Sequence, residues 1–312
     1  MVSEQEEIGR TTALLIEDVS KQHKRINPFL MFNREECWME RNVEIICIGN
    51  ELLIGKVLNT NAHWLAKRVT SLGMIVKRMT VAGDDMSEIV SVVREALHRK
   101  PQFIITTGGL GPTFDDKTLE GIAKALNREW EIDDKALGMV RHKYETFAKE
   151  GRIEKVELTP PRLKMAKFPK DTKPLPNPVG TAPAMMANIK ETVLIALPGV
   201  PSEMEAIFEG SIAQWFRKAA GKVMFYETSI YADGIMESRI APLIDQVMHD
   251  NPRVYIKSHP HREERKPHLE LHFSTTAEAA KVGRSCISKA MSQLEGLIRK
   301  NGGKVKTVRE EN

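Results

Sequence analysis

Apolar residues along this chain recur in two alternating rhythms. Val43–Gly49 (VEIICIG), apolar but for Glu44, is a run of strand length. From Asn59, the stretch NTNAHWLAKRVTSLG sets Leu65, Val69 and Leu72 on one helical face and ends at Gly73, a C-terminal stop. Met74–Ala82 (MIVKRMTVA) predicts a second strand. Asp85 and Glu88 then stand at capping-box spacing ahead of a helix through Ile89, Val93, Ala96 and Leu97, which Pro101 stops. Phe103–Thr107 (FIITT) predicts a third, β-branched strand. A glycine-rich loop follows, and then a helix carrying Leu119, Ile122, Ala123 and Leu126. Strand alternating with helix predicts an α/β fold with a mostly parallel sheet covered on both faces. Such sheets bind ligands beyond the C-terminal ends of their strands. Three loops fall there: GNELLIG, GDD and GGLGPTFDD.

Further on, Leu137, Val140, Tyr144 and Phe147 mark another helix. The proline-rich stretch LTPPRLKMAKFPKDTKPLPNPVGTAP is expected to hold a strand plus functional loops, not helix. MMANIK and TVLIALP predict paired strands. Ser202 and Glu205 form a second capping-box pair before a helix through Ile207, Phe208, Ile212, Trp215 and Phe216. After Gly221 the order becomes strand (MFYETSIYA), helix (IMESRIAPLIDQVMHD), strand (VYIKSHPH), strand (HLELHFSTT) and a final helix over Ala277–Lys300. The expected organisation is therefore an N-terminal extension over 1–40, an α/β domain over 41–221 and a small α+β domain over 222–312. Residues 1–40 lack a sustained amphipathic period, which leaves two readings: a loose leader, or a true start at Met39.

Composition narrows the class. With 41% hydrophobic and 28% charged residues in 312, the chain sits in the globular range. No apolar run approaches the ~20 residues that cross a bilayer. The acidic opening MVSEQEEIGR leads into no secretory apolar segment, so a cytoplasmic location without membrane attachment is expected. The net charge of +4 conceals −3 in residues 1–40 and +7 in the remainder. That balance suits a small anionic ligand and argues against nucleic acid. Cys37, Cys47 and Cys286 are too few and too widely spaced for a disulfide framework or a metal knuckle, and Cys47 is expected as a buried thiol.

The glycine loop Thr106–Asp116 (TTGGLGPTFDD) poses the chemical question. It is neither a Walker A loop nor a complete dinucleotide fingerprint. Glycine-loop amides that open a helix bind anions, yet Asp115 and Asp116 would repel a phosphate. Two unit charges ~4 Å apart cost about 4 kcal/mol at an effective dielectric of ~20. A divalent cation, magnesium or manganese, removes the conflict by binding the carboxylates and the phosphate oxygens together. Asp116 could alternatively cap the helix. Asp84 is either a further ligand or base, or a turn residue.

TTGGLGPTFDDKT, together with GNELLIGKVLNTNAHWLA upstream and NPVGTAPA and LPGVPSEM downstream, resembles one family. It is the MoaB/Mog-like molybdopterin-binding fold, in the branch of the competence/damage-inducible protein CinA and the N-terminal part of eukaryotic FAD synthase. The resemblance runs from about Val43 to Gly302. It implies a three-layer α/β/α domain followed by a small KH-type α+β domain, with the glycine loop holding a ligand phosphate. CinA-branch members look like metal-dependent nucleotide pyrophosphatases acting on ADP-ribose, FAD or related dinucleotides; the Mog branch adenylylates molybdopterin. By alignment with the Mog branch, Asp84 and Asp116 are the catalytic candidates, and Asp115 is the extra acid that tilts the reading away from that branch. Asp84, Asp115 and Asp116 are the expected ligands of a magnesium, manganese or cobalt ion. Thr107, Gly108, Gly109, Gly111, Thr113 and Thr118 would form the phosphate loop. Asn50, Glu51, Asn59 and Asn61 suit sugar or base hydroxyls, or else capping and turns. Asn177, Gly180, Thr181, Gly199 and Glu203 are wall candidates, or punctuation of the fold.

Two departures from the family pattern matter: Asn50 replaces a usual aspartate, and Ala184 a usual glycine. The deamidase domain that many CinA proteins carry has no counterpart in these motifs, so deamidase activity is not expected. In the C-terminal part, His259, His261, His268 and His272 fit a solvated hairpin better than a zinc cluster. That part lacks the GxxG clamp of RNA-binding KH modules and is read as a scaffold or homo-oligomerisation element. The expected partners are thus a phosphorylated nucleotide or pterin and further copies of the chain. A non-catalytic nucleotide-binding module is the reading outside enzymology.

Overall fold

The computed structural model describes residues 41–261 and 268–307. Expectations for the leader, the start at Met39 and Cys37 lie outside the described residues. A six-stranded sheet has the order β2-β1-β3-β8-β7-β6, built from β1 (Asn42–Ile48), β2 (Ile75–Ala82), β3 (Phe103–Thr107), β6 (Lys173–Leu175), β7 (Ala184–Ile189) and β8 (Thr192–Leu197). β1 pairs in parallel with β2 and with β3, and β3 with β8. β7 and β6 complete the sheet antiparallel.

Both faces of this sheet are covered, which is why its central strands read as predominantly apolar runs; the buried Glu44 of β1 is paired with Arg99 (2.7 Å). Successive side chains of a strand point to opposite faces. Ile45 and Cys47 of β1 therefore join one cluster with Leu65, Val69, Phe208 and Phe216. Ile46 and Ile48 join the other with Ile89, Val93, Ile122 and Val140. The first face is covered by α2 (Thr60–Ser71), α7 (Pro201–Ile207), a π-helical turn (Phe208–Ile212) and α8 (Ala213–Ala220). The second is covered by α3 (Met86–His98), α4 (Thr118–Ala125) and α5 (Asp134–Lys149). Cys47 is buried and free, as expected.

Several local expectations need correction. The proline-rich stretch does contain a helix, α6 (Pro160–Lys164), because prolines are tolerated in the first turn, where the N–H groups have no partner to lose. Its strand content is split between β5 (Lys167–Pro169), which pairs with β4 (Trp130–Ile132), and β6 at the sheet edge. Asp85 caps α3 through the amide of Ser87 (2.8 Å). Ser202 does not cap α7: Pro201 takes an N-terminal position, and Val200 precedes it.

The C-terminal part is a four-stranded antiparallel sheet, β10 (Tyr255–His261), β11 (His268–Ala277), β9 (Met224–Asp233) and β12 (Lys304–Thr307), in the order β10-β11-β9-β12. With α9 (Glu237–Asp250) and α10 (Ala280–Lys300), the chain order is β-α-β-β-α-β, the ferredoxin-like arrangement. β12 is an addition to the β-α-β-β-α order read from sequence. Ile230, Leu271, Phe273, Val247, Leu294 and Ile298 share its core. Three histidines of β10 and β11 each meet a carboxylate: His268 Nδ1 and Asp233 Oδ1 at 2.5 Å, His272 Nε2 and Glu227 Oε2 at 3.0 Å, His261 Nε2 and Glu270 Oε2 at 3.4 Å. Among the described residues, no helix is long and apolar enough to cross a membrane.

Two measurements check this packing. Phe216 stacks on Phe103 with ring centroids 4.2 Å apart and is fully buried. Phe216→Ala is expected to destabilise the chain by about 3–5 kcal/mol in urea unfolding. Hydrogen bonds from His268 and Lys306 hold the Asp233 carboxyl below its ordinary range. Its stabilising contribution is present above the unfolded carboxylate pKa and is lost as pH falls through the folded value. Asp233→Asn is therefore expected to lower stability at neutral and alkaline pH and to flatten the acid limb of a stability-versus-pH profile.

Candidate functional site

The C-terminal ends of β1, β2, β3 and β8 are knitted together by backbone bonds. Gly49 N donates to Ala82 O (3.0 Å), and Gly108 N donates to Leu197 O (3.0 Å). Gly108 has φ +108° and Gly109 φ +69°, conformations open to glycine. A Cβ at Gly108 would collide with the carbonyl oxygen of Ile48, and one at Gly109 with Thr118 Oγ1. Thr118 is fully buried and donates to Gly108 O (2.8 Å), so it braces the loop from behind. Thr107 donates to Pro198 O (2.9 Å) and accepts from Asn61 Nδ2 (3.0 Å), and Asn61 Nδ2 also reaches Gly199 O (2.8 Å).

Beyond these strand ends lies a cleft of about 250 Å³. Eleven of the expected residues line it: Glu51, Asn59, Asn61, Asp84, Thr107, Gly108, Gly109, Thr113, Asp115, Asp116 and Gly199. Ile48, Leu52, Val57 and Leu58 supply an apolar wall that sequence reasoning did not single out. The expected loop GNELLIG instead holds a short helix over Asn50–Leu53, and Leu58 beyond it is 83% exposed beside the cleft. Asn59 serves in two ways, since it also caps α2 by accepting from Ala62 N (3.0 Å). Burial pushes the Cys47 thiol up, against a hydrogen bond from Asn59.

Other expected residues stand outside the lining. Asn50 sits in α1 (Asn50–Leu53) and exchanges bonds with Asp84: its amide donates to Asp84 Oδ2 (2.9 Å), and its Oδ1 accepts from Asp84 N (3.4 Å). Gly111 lies against Asp116. Asn177, Gly180 and Glu203 form a separate cluster, in which Asn177 Nδ2 donates to Glu203 Oε2 (2.6 Å) and Gly180 leaves room for that carboxylate. Thr181 points to the Met165 sulfur (3.6 Å). These contacts fix the NPVGTAP turn against the start of α7.

The acid pair is organised by Thr113. Its amide (2.8 Å) and hydroxyl (2.5 Å) both donate to Asp116 Oδ2, and the hydroxyl also contacts Asp115 Oδ1. Asp116 is thus engaged inside its own turn, and Lys117, not Asp116, precedes α4 as its cap. The hydrogen bond from Thr113 holds the Asp115 carboxyl below its ordinary range, helped by Lys164 and Lys117. Lys164, from the end of α6, donates to Thr113 O and went unnoticed in the sequence; burial pushes its pKa down, against the pull of Asp116 and Asp115. Carboxylate oxygens are hard donors suited to magnesium or manganese, and Asp84, Asp115 and Asp116 reach one cleft. Among the described residues, no three His, Cys, Asp or Glu side chains form a ready-made metal cage. Ligand oxygens would have to complete the shell, as is usual for magnesium.

The site is a glycine-lined cleft at the strand ends of a covered, mostly parallel α/β sheet. Residues 44–218 match the family model described as "Probable molybdopterin binding domain". A protein of Pyrobaculum arsenaticum is 43% identical over 260 residues, covering 83% of this chain and 95% of the relative. One of Caldivirga maquilingensis is 44% identical over 252 residues, covering 80% and 94%. Among solved structures, "the protein CinA with unknown function from Thermoplasma acidophilum" is 42% identical, covering 55% of this chain and 95% of that one, with a TM-score of 0.50. The chain belongs to the molybdopterin-binding domain family, in the branch that includes CinA.

The Gly108 geometry yields a direct test. Gly108→Ala is expected to cost about 1–3 kcal/mol from backbone strain alone, with the collision at Ile48 O adding to it. Urea unfolding measures the loss, and an unchanged midpoint would contradict the close approach of β1 and β3.

Proposed function

We propose that this cleft hydrolyses the diphosphate linkage of a nucleotide such as ADP-ribose or FAD. The observation that supports this reading most is that acids from two strand-end loops, Asp84 and the Asp115–Asp116 pair, line the same cleft as the positive-φ glycines Gly108 and Gly109. In this reading the loop amides near Gly108 and Gly109 hold one phosphate, and the N-terminal end of α4 favours its charge. Asn59, Asn61 and Glu51 orient the nucleoside by hydrogen bonds. Ile48, Leu52, Val57 and Leu58 shield its apolar surface from water.

Asp84, Asp115 and Asp116 would hold a magnesium, manganese or cobalt ion, which when bound offsets charge on the diphosphate and lowers the pKa of an adjacent water. The water oxygen forms a bond to phosphorus while the bridging P–O bond breaks. The electron pair leaves with the departing phosphate, and the water's proton passes to an aspartate carboxylate and then to solvent. The products are AMP and a sugar phosphate, or AMP and FMN when FAD is the substrate. Asp116→Ala is expected to lower AMP release from ADP-ribose or FAD by about 10²-fold or more, measured by chromatography with each metal in turn. A rate equal to that of the unaltered chain would reject the assignment.

The family description favours a second reading, in which a pterin phosphate occupies the cleft and is bound or adenylylated. Molybdopterin binding without AMP release would establish it. A third reading is a nucleotide-binding module without turnover, which nucleotide binding without AMP release under any metal would support.

A further inference from the structure

Lys164 stands where an otherwise anionic turn needs a cation. Its side chain reaches from α6 to the carbonyl of Thr113, the residue that ties Asp115 and Asp116 together. Asp116, Asp115 and Glu120 attract it, and Lys117 repels it. Glu120 already has a partner in Lys124, at 2.8 Å one turn along α4, so the charge of Lys164 is directed chiefly at the acid pair. Lys164 is not among the residues that line the cleft, and its Nζ bonds Thr113 O. The carboxylates themselves do face the cleft.

We propose that Lys164 is a positioning residue and the built-in counter-charge of the Asp115–Asp116 pair. It holds the Thr113 turn in place and offsets part of its negative charge from outside the cleft. An anionic ligand can then enter before a divalent cation does, and the cation is held less tightly than two bare carboxylates would hold it. The inference rests on the reading that the cleft takes a phosphorylated nucleotide together with a divalent ion. It adds a residue, and a reason why two acids beside a phosphate loop do not shut the ligand out.

The test separates charge from hydrogen bonding in the full chain. Lys164→Gln keeps a donor for Thr113 O but removes the charge; Lys164→Arg keeps both. Manganese alone is titrated by electron paramagnetic resonance, and ADP is titrated calorimetrically in the presence of EDTA. Without the counter-charge, manganese is expected to bind about three- to tenfold more tightly and metal-free ADP weaker by a similar factor, with Lys164→Arg close to the unaltered chain. If Lys164→Gln weakens both ligands together, or changes neither, the counter-charge role is overturned. An unaltered chain that binds manganese and ADP but releases no AMP would remove the hydrolase reading and leave this one standing. One that binds neither would remove both.

Discussion

The carbonyl oxygen of Ile48 leaves no space for a side chain at position 108, and much of the site follows from that contact. It brings the ends of β1 and β3 together so closely that the loop after β3 must leave with φ of +108° and then +69°. That path sets the chain beside Thr118 and lets α4 begin directly behind the loop. Because α4 packs its Leu119 and Ile122 into the core shared with Ile46 and Ile48, the loop is fixed at both ends. A glycine-lined concavity beyond a parallel sheet is thus a product of packing, made before any ligand is considered.

Electrostatics then acts on a frame that packing has fixed. The Thr113–Asp116 turn places two carboxylates in the lining of the glycine-lined cleft. Asp84 comes to the same cleft from the end of β2, held by its exchange of bonds with Asn50. Residue 50 holds Asp84 chiefly through its backbone N–H and is not among the residues that line the cleft. Opposite charge is supplied from the protein side by Lys164 and Lys117.

The legible parts of this architecture share a physical cause. β1, β3 and β8 are buried on both faces, so VEIICIG, FIITT and TVLIALP stand out as apolar runs against any background. The helices that follow them carry apolar residues at three- and four-residue spacing, and Asn59 and Asp85 mark two of their starts. The strand-end loops could therefore be located, and eleven of the expected residues meet in one cleft. β4, β5 and β12 have only three or four residues each, too few to display a period, and their pairing depends on distant partners. Lys164 lies 51 residues from Thr113, and nothing in PPRLK distinguishes it from a surface lysine. Asn177 and Glu203 were legible as polar residues among glycines and prolines, but only folding reveals that they satisfy each other.

Thr113 sets a limit of its own. A hydroxyl carries one proton, and Oγ1 of Thr113 stands within reach of oxygens from both Asp115 and Asp116. At any instant it can serve one of them. Asp116 keeps the Thr113 amide in either case, so alternation of the shared proton falls mainly on Asp115. The turn is in this sense a two-position rotor, and whatever approaches Asp115 competes with a single rotating hydrogen.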